Sequence, residues 1–342
     1  MKTGQFTQQE IYSQPEAWQD ALAVIEKLSN KLRSLLSDDY AQIVFTGCGS
    51  TYYLSLAAAA LFQEMTGRVA RAVPAGELFL NPRVSLTNGK TLLVAVSRSG
   101  STSETVRAVE QFKKEKHGPV IVITNYGDQP LASLADVPVI IEKGQEQSVA
   151  QTRSFASMYV AATAIAALAA NREDLRKSMD GLPDCGGKLI ARYDSLARAI
   201  GEDLNKDRFY FLGSGIRYGL ACEVNLKMKE MTLTHSEPFH FLEFRHGPMS
   251  MVNKNAVVVG MLSDANRKHE SKVLSEMKPL GGTALSLGET GSDVSFNSRV
   301  PEQVRGVLYL PVLQLTAYYR SLAKGLNPDS PTNLTAVVKL DL

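Results

Sequence analysis

The sequence predicts an α/β protein with two similar domains, each containing a parallel β-sheet that helices cover on both faces. Short runs of β-branched residues alternate with longer helical patterns along the chain, which is typical of βαβ units. The second half also repeats the first: residues 43–66 correspond to residues 209–232, and Ser97 corresponds to Ser263, 166 positions on in each case. A length of 342 residues fits two domains of about 150 residues each.

The predicted strands are short, apolar and bounded by Gly, Pro, Ser or Asn, as buried strands of a parallel sheet are. They are residues 43–45, 92–96, 120–124 and 137–141 in the first half, and residues 209–212, 256–262 and 283–287 in the second. The predicted helices between them are residues 51–66, 102–116, 155–170, 218–231 and 268–278. Residues 155–170 are mostly alanine and too few to span a bilayer comfortably, so we expect an interior helix there.

The remaining segments define the domain organisation. Residues 1–36 are predicted to form helices on the outside of the protein. Residues 171–188 contain glycines and a proline among charged residues, so the boundary between the domains is placed there. The domains are therefore residues 37–180 and 181–325, and an extended tail is predicted for residues 326–342.

Composition excludes several classes of function. The 37 basic and 35 acidic residues are interspersed, so neither the net charge of +2 nor any basic run suggests nucleic-acid binding. The three cysteines, Cys48, Cys185 and Cys222, form no CxxC pair, which fits a reducing compartment without disulfides. No charged segment followed by an apolar one opens the chain, so we expect a cytoplasmic protein with no membrane partner.

Two loops of the first half are candidates for phosphate binding. The glycine loop (residues 47–51, including Gly49, Ser50 and Thr51) follows a predicted strand and opens a helix. The serine loop (residues 97–102, Ser-Arg-Ser-Gly-Ser-Thr) does the same one strand later. Free backbone N–H groups, hydroxyls and the positive ends of helix dipoles at one sheet edge could bind a phosphate without a metal. The alternative is that these residues only end strands and cap helices. Neither loop has the glycine spacing of a dinucleotide site or the Gly-Lys-Ser/Thr of a P-loop.

The second half carries candidate acid–base residues. Glu230 lies late in a predicted helix, three positions after Lys227, and could remove a proton from a carbon next to a carbonyl. The alternative is an ordinary solvated Lys/Glu face. His246 precedes a Gly-Pro turn and is suited to acid–base work near neutral pH, although a structural histidine remains possible. Metal binding by His235, His240 and His246 with Glu237 or Glu243 stays open, although no helical HxxxH pair is present.

Together these patterns resemble the sugar isomerase (SIS) family in its double-domain form. Five motifs match in order: residues 10–15 (Glu-Ile-x-x-Gln-Pro), 48–51 (Cys-Gly-Ser-Thr), 97–102 (Ser-x-Ser-Gly-x-Thr), 227–230 (Lys-x-Lys-Glu) and 246–248 (His-Gly-Pro). The chain resembles the isomerase portion of glucosamine-6-phosphate synthase. In its loops it is more similar to the AgaS-type branch of ketose/aldose isomerases and deaminases. The resemblance implies two tandem SIS domains, each a flavodoxin-like three-layer αβα sandwich with a parallel sheet.

The resemblance also implies roles for individual residues. Catalysis is implied for Glu230 as the base that moves a proton between C1 and C2, with Lys227 as its electrostatic neighbour. His246 is implied as the ring-opening group, completing the neighbouring site of a homodimer. The implied phosphate ligands are Ser50, Thr51, Ser97, Arg98, Ser99 and Thr102, and the other implied substrate-binding residues are Gly49, Val149 and Ala150. No metal or cofactor is expected.

Two departures argue against direct transfer of the synthase activity. No glutaminase domain precedes Glu10, so we do not expect glutamine to be the nitrogen source. In the tail, Ala336 stands where the synthase has a lysine for the substrate carbonyl, and Lys339 would point to the other side of an extended chain.

The sequence therefore predicts a metal-free phosphosugar aldose–ketose isomerase, acting on an amino sugar 6-phosphate with release of ammonia or on a plain sugar phosphate. A fructosamine 6-phosphate deglycase, which needs the same proton transfer, is an alternative, as is a noncatalytic sugar-phosphate sensor.

Overall fold

A computed structural model describes residues 2–338 and 340 of the chain. The strands are β1 (Gln42–Gly47), β2 (Ala70–Pro74), β3 (Thr91–Ser97), β4 (Val120–Thr124), β5 (Val137–Ile140), β6 (Arg208–Leu212), β7 (His235–Phe239), β8 (Ala256–Met261), β9 (Thr283–Gly288) and β10 (Val294–Ser295). The helices are α1 (Gln5–Tyr12), α2 (Gln14–Leu36), α3 (Ser50–Thr66), α4 (Ala75–Leu80), α5 (Pro82–Ser85), α6 (Ser103–Lys114), α7 (Pro130–Ser133), α8 (Arg153–Ala169), α9 (Glu173–Ser178), α10 (Leu182–Glu202), α11 (Ile216–Thr232), α12 (Arg267–Met277) and α13 (Leu310–Ala323).

The chain folds into two compact units that exchange short segments. The N-terminal unit contains residues 13–146, 153–180, 335–338 and 340. The C-terminal unit contains residues 181–334 together with residues 2–12 and 147–152. Each unit has one five-stranded parallel sheet flanked by helices, which confirms the predicted fold class of two tandem αβα sandwiches.

The two sheets have the same topology. The strand order is β2-β1-β3-β4-β5 in the N-terminal unit and, read in the matching direction, β7-β6-β8-β9-β10 in the C-terminal unit. This is the flavodoxin-like order, in which the winding direction reverses between the first and third strands of the unit. The reversal lies between β1 and β3 in one sheet and between β6 and β8 in the other, so the ligand-binding edge is predicted at these strands.

In the N-terminal unit, alternate residues of the buried strands face two different helix layers. One core cluster joins Val44 and Leu93 of the sheet to α4, α6 and α7. On the opposite face α3 packs against α8, and α2 packs on the outside of α8. Nearly all of α8 is buried, which confirms the predicted interior helix.

The C-terminal unit is layered in the same way. Tyr210, Leu212 and Val258 of the sheet pack with Val273 and Met277 of α12 in one core cluster. The other helix layer is formed by α10, α11 and α13, which contact one another. No helix among residues 2–338 combines the length and apolarity needed to cross a membrane.

Three strands were not predicted, namely β2, β7 and β10, and each is an edge strand of its sheet. The segment 171–188 is mostly helical. Pro183 does not interrupt α10, because it lies in the first turn of that helix, where its missing N–H costs nothing. In the predicted tail, residues 326–338 form turns and irregular structure. Lys339 lies outside the described residues.

Candidate active site

The glycine loop makes a tight turn from β1 into α3. Gly49 has φ of +55°, in the region that favours glycine, and an added Cβ on Gly47 would lie 2.5 Å from Thr51 Oγ1. The Thr51 hydroxyl donates to the Cys48 carbonyl at 2.9 Å and accepts from the Cys48 N–H at the same distance. Thr51 therefore holds the turn together, and Ser50 beside it is also buried.

The serine loop gathers four hydroxyl groups between β3 and α6, those of Ser97, Ser99, Ser101 and Thr102. Ser97 Oγ accepts from the Gly100 N–H at 3.1 Å, and Gly100 has φ of +65°. Thr102 Oγ1 lies 3.4 Å from Ser97 Oγ and 3.5 Å from Ser99 Oγ. Ser99 and Thr102 are half-buried, and Ser99 Oγ accepts from the Ser101 N–H at 3.2 Å and from the Ser101 hydroxyl at 3.3 Å.

Both loops follow the carboxyl-terminal ends of strands in the N-terminal sheet, and they lie at the same edge of the sheet because β1 and β3 are parallel neighbours. This edge is also the point where the winding reverses, the usual ligand site of such sheets. The N-termini of α3 and α6 are there as well, and their dipoles favour an anion. Within this unit the structure thus places the predicted phosphate-binding residues around one edge of the sheet.

Arg98 of the serine loop contacts the C-terminal tail. Its Nη2 donates to the carbonyl of Ala336 at 2.8 Å, and its Nη1 lies 3.8 Å from Oε2 of the buried Glu146. Ser103 also bonds the tail, because its N–H donates to Val338 at 3.4 Å and its hydroxyl accepts from the N–H of Leu340 at 3.0 Å. The tail residue at the lysine position thus contributes its backbone carbonyl to this loop.

The C-terminal unit carries a buried cation between two carboxylates on α11. Lys227 has a side-chain exposure of only 1%. Its Nζ lies 3.4 Å from Oε1 of the fully buried Glu223 and 2.5 Å from Oε2 of Glu230. Because a buried ammonium group is costly unless it is paired, both carboxylates stabilise its charge.

Glu230 is the member of this cluster that reaches the surface. Its side chain is 20% exposed, whereas Lys227 and Glu223 are inaccessible, so Glu230 can meet a substrate. An ordinary solvated Lys/Glu helix face would expose both lysines. Lys229 is exposed, but Lys227 is buried. Glu223 was missed by the sequence analysis. The signal was its spacing of four residues from Lys227, which places both side chains on one face of the helix.

His246 projects from a turn that is anchored on either side. Phe244 is fully buried in the core, and Arg245 forms two bonds of 2.7 and 2.8 Å with the carboxylate of Glu276. Gly247 then has φ of +118°, which favours glycine. The His246 side chain is exposed, and its ring has no hydrogen bond or ion pair among the residues described in this chain.

The segment with Val149 and Ala150 belongs to the C-terminal unit and is held by Glu10. The Glu10 carboxylate accepts from the N–H groups of Gln147 at 2.6 Å and Ser148 at 3.2 Å, and from the Ser148 hydroxyl. Val149 N–H donates to the carbonyl of Asp329 at 2.9 Å. The conformation of this predicted substrate-binding segment therefore depends on one buried carboxylate of the Glu-Ile-x-x-Gln-Pro motif.

The histidines considered for metal binding do not form a cluster. Nε2 of His235 lies 3.8 Å from Glu237, whereas the His240 ring stacks on Tyr218 with 4.0 Å between centroids. Across residues 2–338 and 340, no group of three or more His, Cys, Asp or Glu side chains is arranged to hold a metal ion. Burial raises the pKa of the Cys48 thiol, so this glycine-loop residue is a poor nucleophile.

Comparison with known proteins places this geometry in context. The profile of the SIS domain matches residues 35–168 and 204–318. The glutamine–fructose-6-phosphate aminotransferase (isomerizing) of Pyrococcus horikoshii is 30% identical over 98% of this chain. The chain spans only 58% of the length of that relative.

Two solved structures are similar over nearly their whole length. The glucosamine-6-phosphate deaminase of Thermotoga maritima has a TM-score of 0.82 and 27% identity, with 98% of this chain and 99% of that chain covered. The tagatose-6-phosphate ketose/aldose isomerase of Escherichia coli has a TM-score of 0.85 and 25% identity, with 97% and 96% covered.

Replacing Glu10 by Gln tests the support of residues 147–150. Glutamine keeps one acceptor oxygen, but its amide nitrogen cannot accept the bond from the Ser148 hydroxyl and its neutral oxygen is a weaker acceptor for the two N–H groups, so we expect a loss of about 2 kcal/mol in the free energy of unfolding. Hydrogen exchange of the Gln147 and Ser148 amides should also become faster. Glu16→Gln, at an exposed position in the first turn of α2, is the control and should change neither. Equal behaviour of both variants would contradict this role of Glu10.

The pH dependence of stability tests the environment of His240. Partial burial against Tyr218 lowers the pKa of His240 below its usual 6.5. Below that pH the unfolded chain binds the proton more readily, so the folded state loses stability as pH falls. His240→Phe keeps an aromatic ring at this position and should reduce this loss, measured as the midpoint of urea unfolding at about pH 7 and about pH 5. An unchanged pH dependence in the variant would contradict the assignment.

Proposed function

The chain belongs to the SIS domain family, and from this premise we propose that it is a phosphosugar aldose–ketose isomerase that acts on an amino sugar 6-phosphate and releases ammonia. The observation that carries the proposal is the buried Lys227 ammonium group in contact with Glu230. A carboxylate oriented by a fixed cation is suited to remove a proton from a carbon next to a carbonyl group. Because the Lys227 side chain is only 1% exposed, this cation acts on the reaction through Glu230 and not by contact with the substrate.

The proposed reaction assigns one role to each of His246, Glu230 and Lys227. His246 assists opening of the sugar ring. Glu230 then removes the C2 proton of the open-chain amino aldose, with Lys227 as the electrostatic neighbour of its carboxylate, and an enolate forms at O1. Return of that proton to C1 and protonation of O1 by solvent give an imine at C2. Addition of water to the imine expels ammonia, so the products are the ketose phosphate and ammonia.

The phosphate group is proposed to bind at the glycine and serine loops. Ser99 and Thr102 supply accessible hydroxyls, and the N-termini of α3 and α6 supply N–H groups and favourable dipoles. Ser50, Thr51 and Ser97 are more buried, and the contacts of Thr51 and Ser97 support a role in shaping the loops. Arg98 adds a positive charge to the serine loop, and the proposal keeps it as a phosphate ligand. Gly49, Val149 and Ala150 are proposed to contact the sugar.

The named activities of the relatives support this substrate class. The Thermotoga maritima protein is a glucosamine-6-phosphate deaminase, whose reaction is the one proposed here. The Escherichia coli protein is a tagatose-6-phosphate ketose/aldose isomerase, which favours isomerisation of a plain sugar phosphate as a second candidate. Both candidates need the same proton transfer between C1 and C2. Glucosamine 6-phosphate and tagatose 6-phosphate are therefore the first substrates to assay.

A homodimer is also part of the proposal, with His246 acting in the active site of the neighbouring subunit. The exposed His246 ring has no polar partner among the described residues. Leu242 and Met251, on either side of it, are 51% and 54% exposed, so apolar side chains flank the ring on this surface. Because the groups lie on a turn anchored by Phe244 and Arg245, they form a fixed surface.

Replacement of Glu230 by Gln tests the proposed base. Glutamine cannot accept the C2 proton, so kcat should fall by about 1,000-fold while the substrate still binds. The control is Glu64→Gln, because Glu64 occupies the corresponding position in the first copy of the repeat and is exposed. Ketose and ammonia formation measure turnover, and calorimetry measures binding.

The matching test of the phosphate loop is Ser99→Ala, which should raise KM about tenfold with a small effect on kcat, since one hydrogen bond to a charged ligand is lost. Full turnover by Glu230→Gln would contradict the proposed base. Wild-type protein that binds these sugar phosphates tightly but converts none of them would instead favour a sensor. Cleavage of a fructosamine 6-phosphate alone would favour a deglycase.

Subunit mixing tests the shared site. Glu230→Gln and His246→Ala chains should each be nearly inactive, because each lacks one catalytic group. Equal co-expression should restore about one quarter of wild-type activity, since half of the dimers are mixed and each mixed dimer has one complete site. Mixed dimers that form but stay inactive would show that both groups act within one chain.

A further inference from the structure

The C-terminal unit repeats the two loops of the candidate phosphate site. Gly215 has φ of +58° at the start of α11, close to the +55° of Gly49 at the start of α3. The Asn266 N–H donates to Ser263 Oγ at 2.9 Å, as the Gly100 N–H donates to Ser97 Oγ at 3.1 Å. All these residues are related by the same 166-position offset. The backbone geometry of the anion-binding edge is therefore present twice.

In the second copy, carboxylates of the protein accept the hydrogen bonds that the N–H groups of the loop donate. Oε2 of Glu270 accepts from the Ser263 N–H at 2.6 Å and from the Ser263 hydroxyl at 3.0 Å. Oε2 of Glu302 accepts from the next N–H, that of Asp264, at 3.1 Å. Two successive N–H groups and a hydroxyl are the donors that a bound phosphate would use at such a loop.

A buried arginine completes this arrangement. Arg217 stands where the first copy has Thr51, and its side chain is only 7% exposed. Its Nη1 donates to Oε1 of Glu302 at 2.7 Å, and its Nη2 lies 3.8 Å from Oε1 of Glu270. The Arg217 Nε and the Glu270 Oε1 have no hydrogen-bond partner among the described residues, although both side chains are more than nine-tenths buried. The cation is therefore incompletely satisfied by the two carboxylates.

We propose that the C-terminal unit contains a second phosphate-type anion site, which its own carboxylates occupy. Arg217 and the Asp264 N–H form the binding groups, and Glu302 takes the place of the anion. The ligand class that fits is a phosphomonoester or inorganic phosphate, which carries two negative charges as the pair of carboxylates does. This inference goes beyond the proposed reaction, because the proposed reaction places the substrate phosphate at the loops of the N-terminal unit and not at those of the C-terminal unit.

Glu302 is the carboxylate whose removal should open the site. It lies on a single 3-10 turn, Glu302–Val304, and is 21% exposed, whereas Glu270 is 3% exposed on α12. Loss of the Glu302 side chain frees the Asp264 N–H and Nη1 of Arg217 together. Glu270 then still balances part of the arginine charge.

The test is calorimetric titration of Glu302→Ala with inorganic phosphate. The variant should bind one more phosphate per chain than the wild type, and phosphate should raise its Tm by about 2 °C or more beyond the wild-type response. The same comparison in a Ser99→Ala background separates the two sites, because that change weakens only the proposed site at the serine loop. A wild type without phosphate binding would then count against the proposed function alone.

Glu289→Ala is the matched control. Glu289 belongs to a neighbouring ionic cluster, with Oε2 lying 3.6 Å from Nε of the buried Arg305, but it bonds Ser298 and Arg299 and not the loop after β8. It should gain no phosphate site. Should Glu302→Ala fail to fold, Glu302→Ser also removes the carboxylate and leaves its space vacant, and it should show the same extra binding. An unchanged phosphate stoichiometry in the folded Glu302 variant, or an equal gain in Glu289→Ala, would overturn the inference.

Discussion

The candidate chemistry depends on the burial of one ammonium group. Lys227 is shielded from water within α11, and two carboxylates one turn away in each direction stabilise it. Glu223 is fixed in the interior and Glu230 is partly exposed, so the same cation joins a structural carboxylate to one that a substrate can reach. Loss of the cation would leave Glu223 buried without a compensating charge, which is strongly unfavourable. Fold stability and the position of the proposed base are therefore linked.

Duplication explains how the two units came to differ. Both sheets reverse their winding at equivalent strands, and both follow the first strand with a glycine turn into a helix. The N-terminal copy presents small hydroxyl side chains at that edge, whereas the C-terminal copy fills it with Arg217 and two carboxylates. The proposed acid–base residues lie elsewhere in the C-terminal unit, in the last turns of α11 and on the turn after β7. One scaffold thus supports anion binding in one copy and proton transfer in the other under the proposed function.

Much of the fold could be predicted from the sequence because its central strands are continuous apolar runs. The strands β1, β3, β4, β6 and β8 were all found within one or two residues of their bounds. The strands β2 and β7 were missed because they are half-exposed and contain Pro74 and Pro238, which the sequence pattern does not favour in strands. Helix α10 was not predicted, partly because its first turns contain glycine and proline.

The candidate site was predictable only where local pattern determines geometry. Loop hydroxyls next to strand ends were placed correctly at one sheet edge, since parallel strands end together. The tail contact of Arg98 and the support that Glu10 gives to residues 147–148 depend on residues far apart in sequence, so no local pattern indicates them. The same limit applies to Glu302, which reaches its loop from 38 positions away.

Isotope incorporation during turnover in D2O tests the central claim most directly. Because the Glu230 side chain is partly exposed, a proton that it carries from C2 should exchange with solvent before it reaches C1. The ketose 6-phosphate formed from glucosamine 6-phosphate should therefore carry deuterium at C1, as read by NMR. A ketose in which C1 keeps only the original hydrogen at every stage of conversion would contradict this account, in which the proton exchanges with solvent while the partly exposed Glu230 carries it.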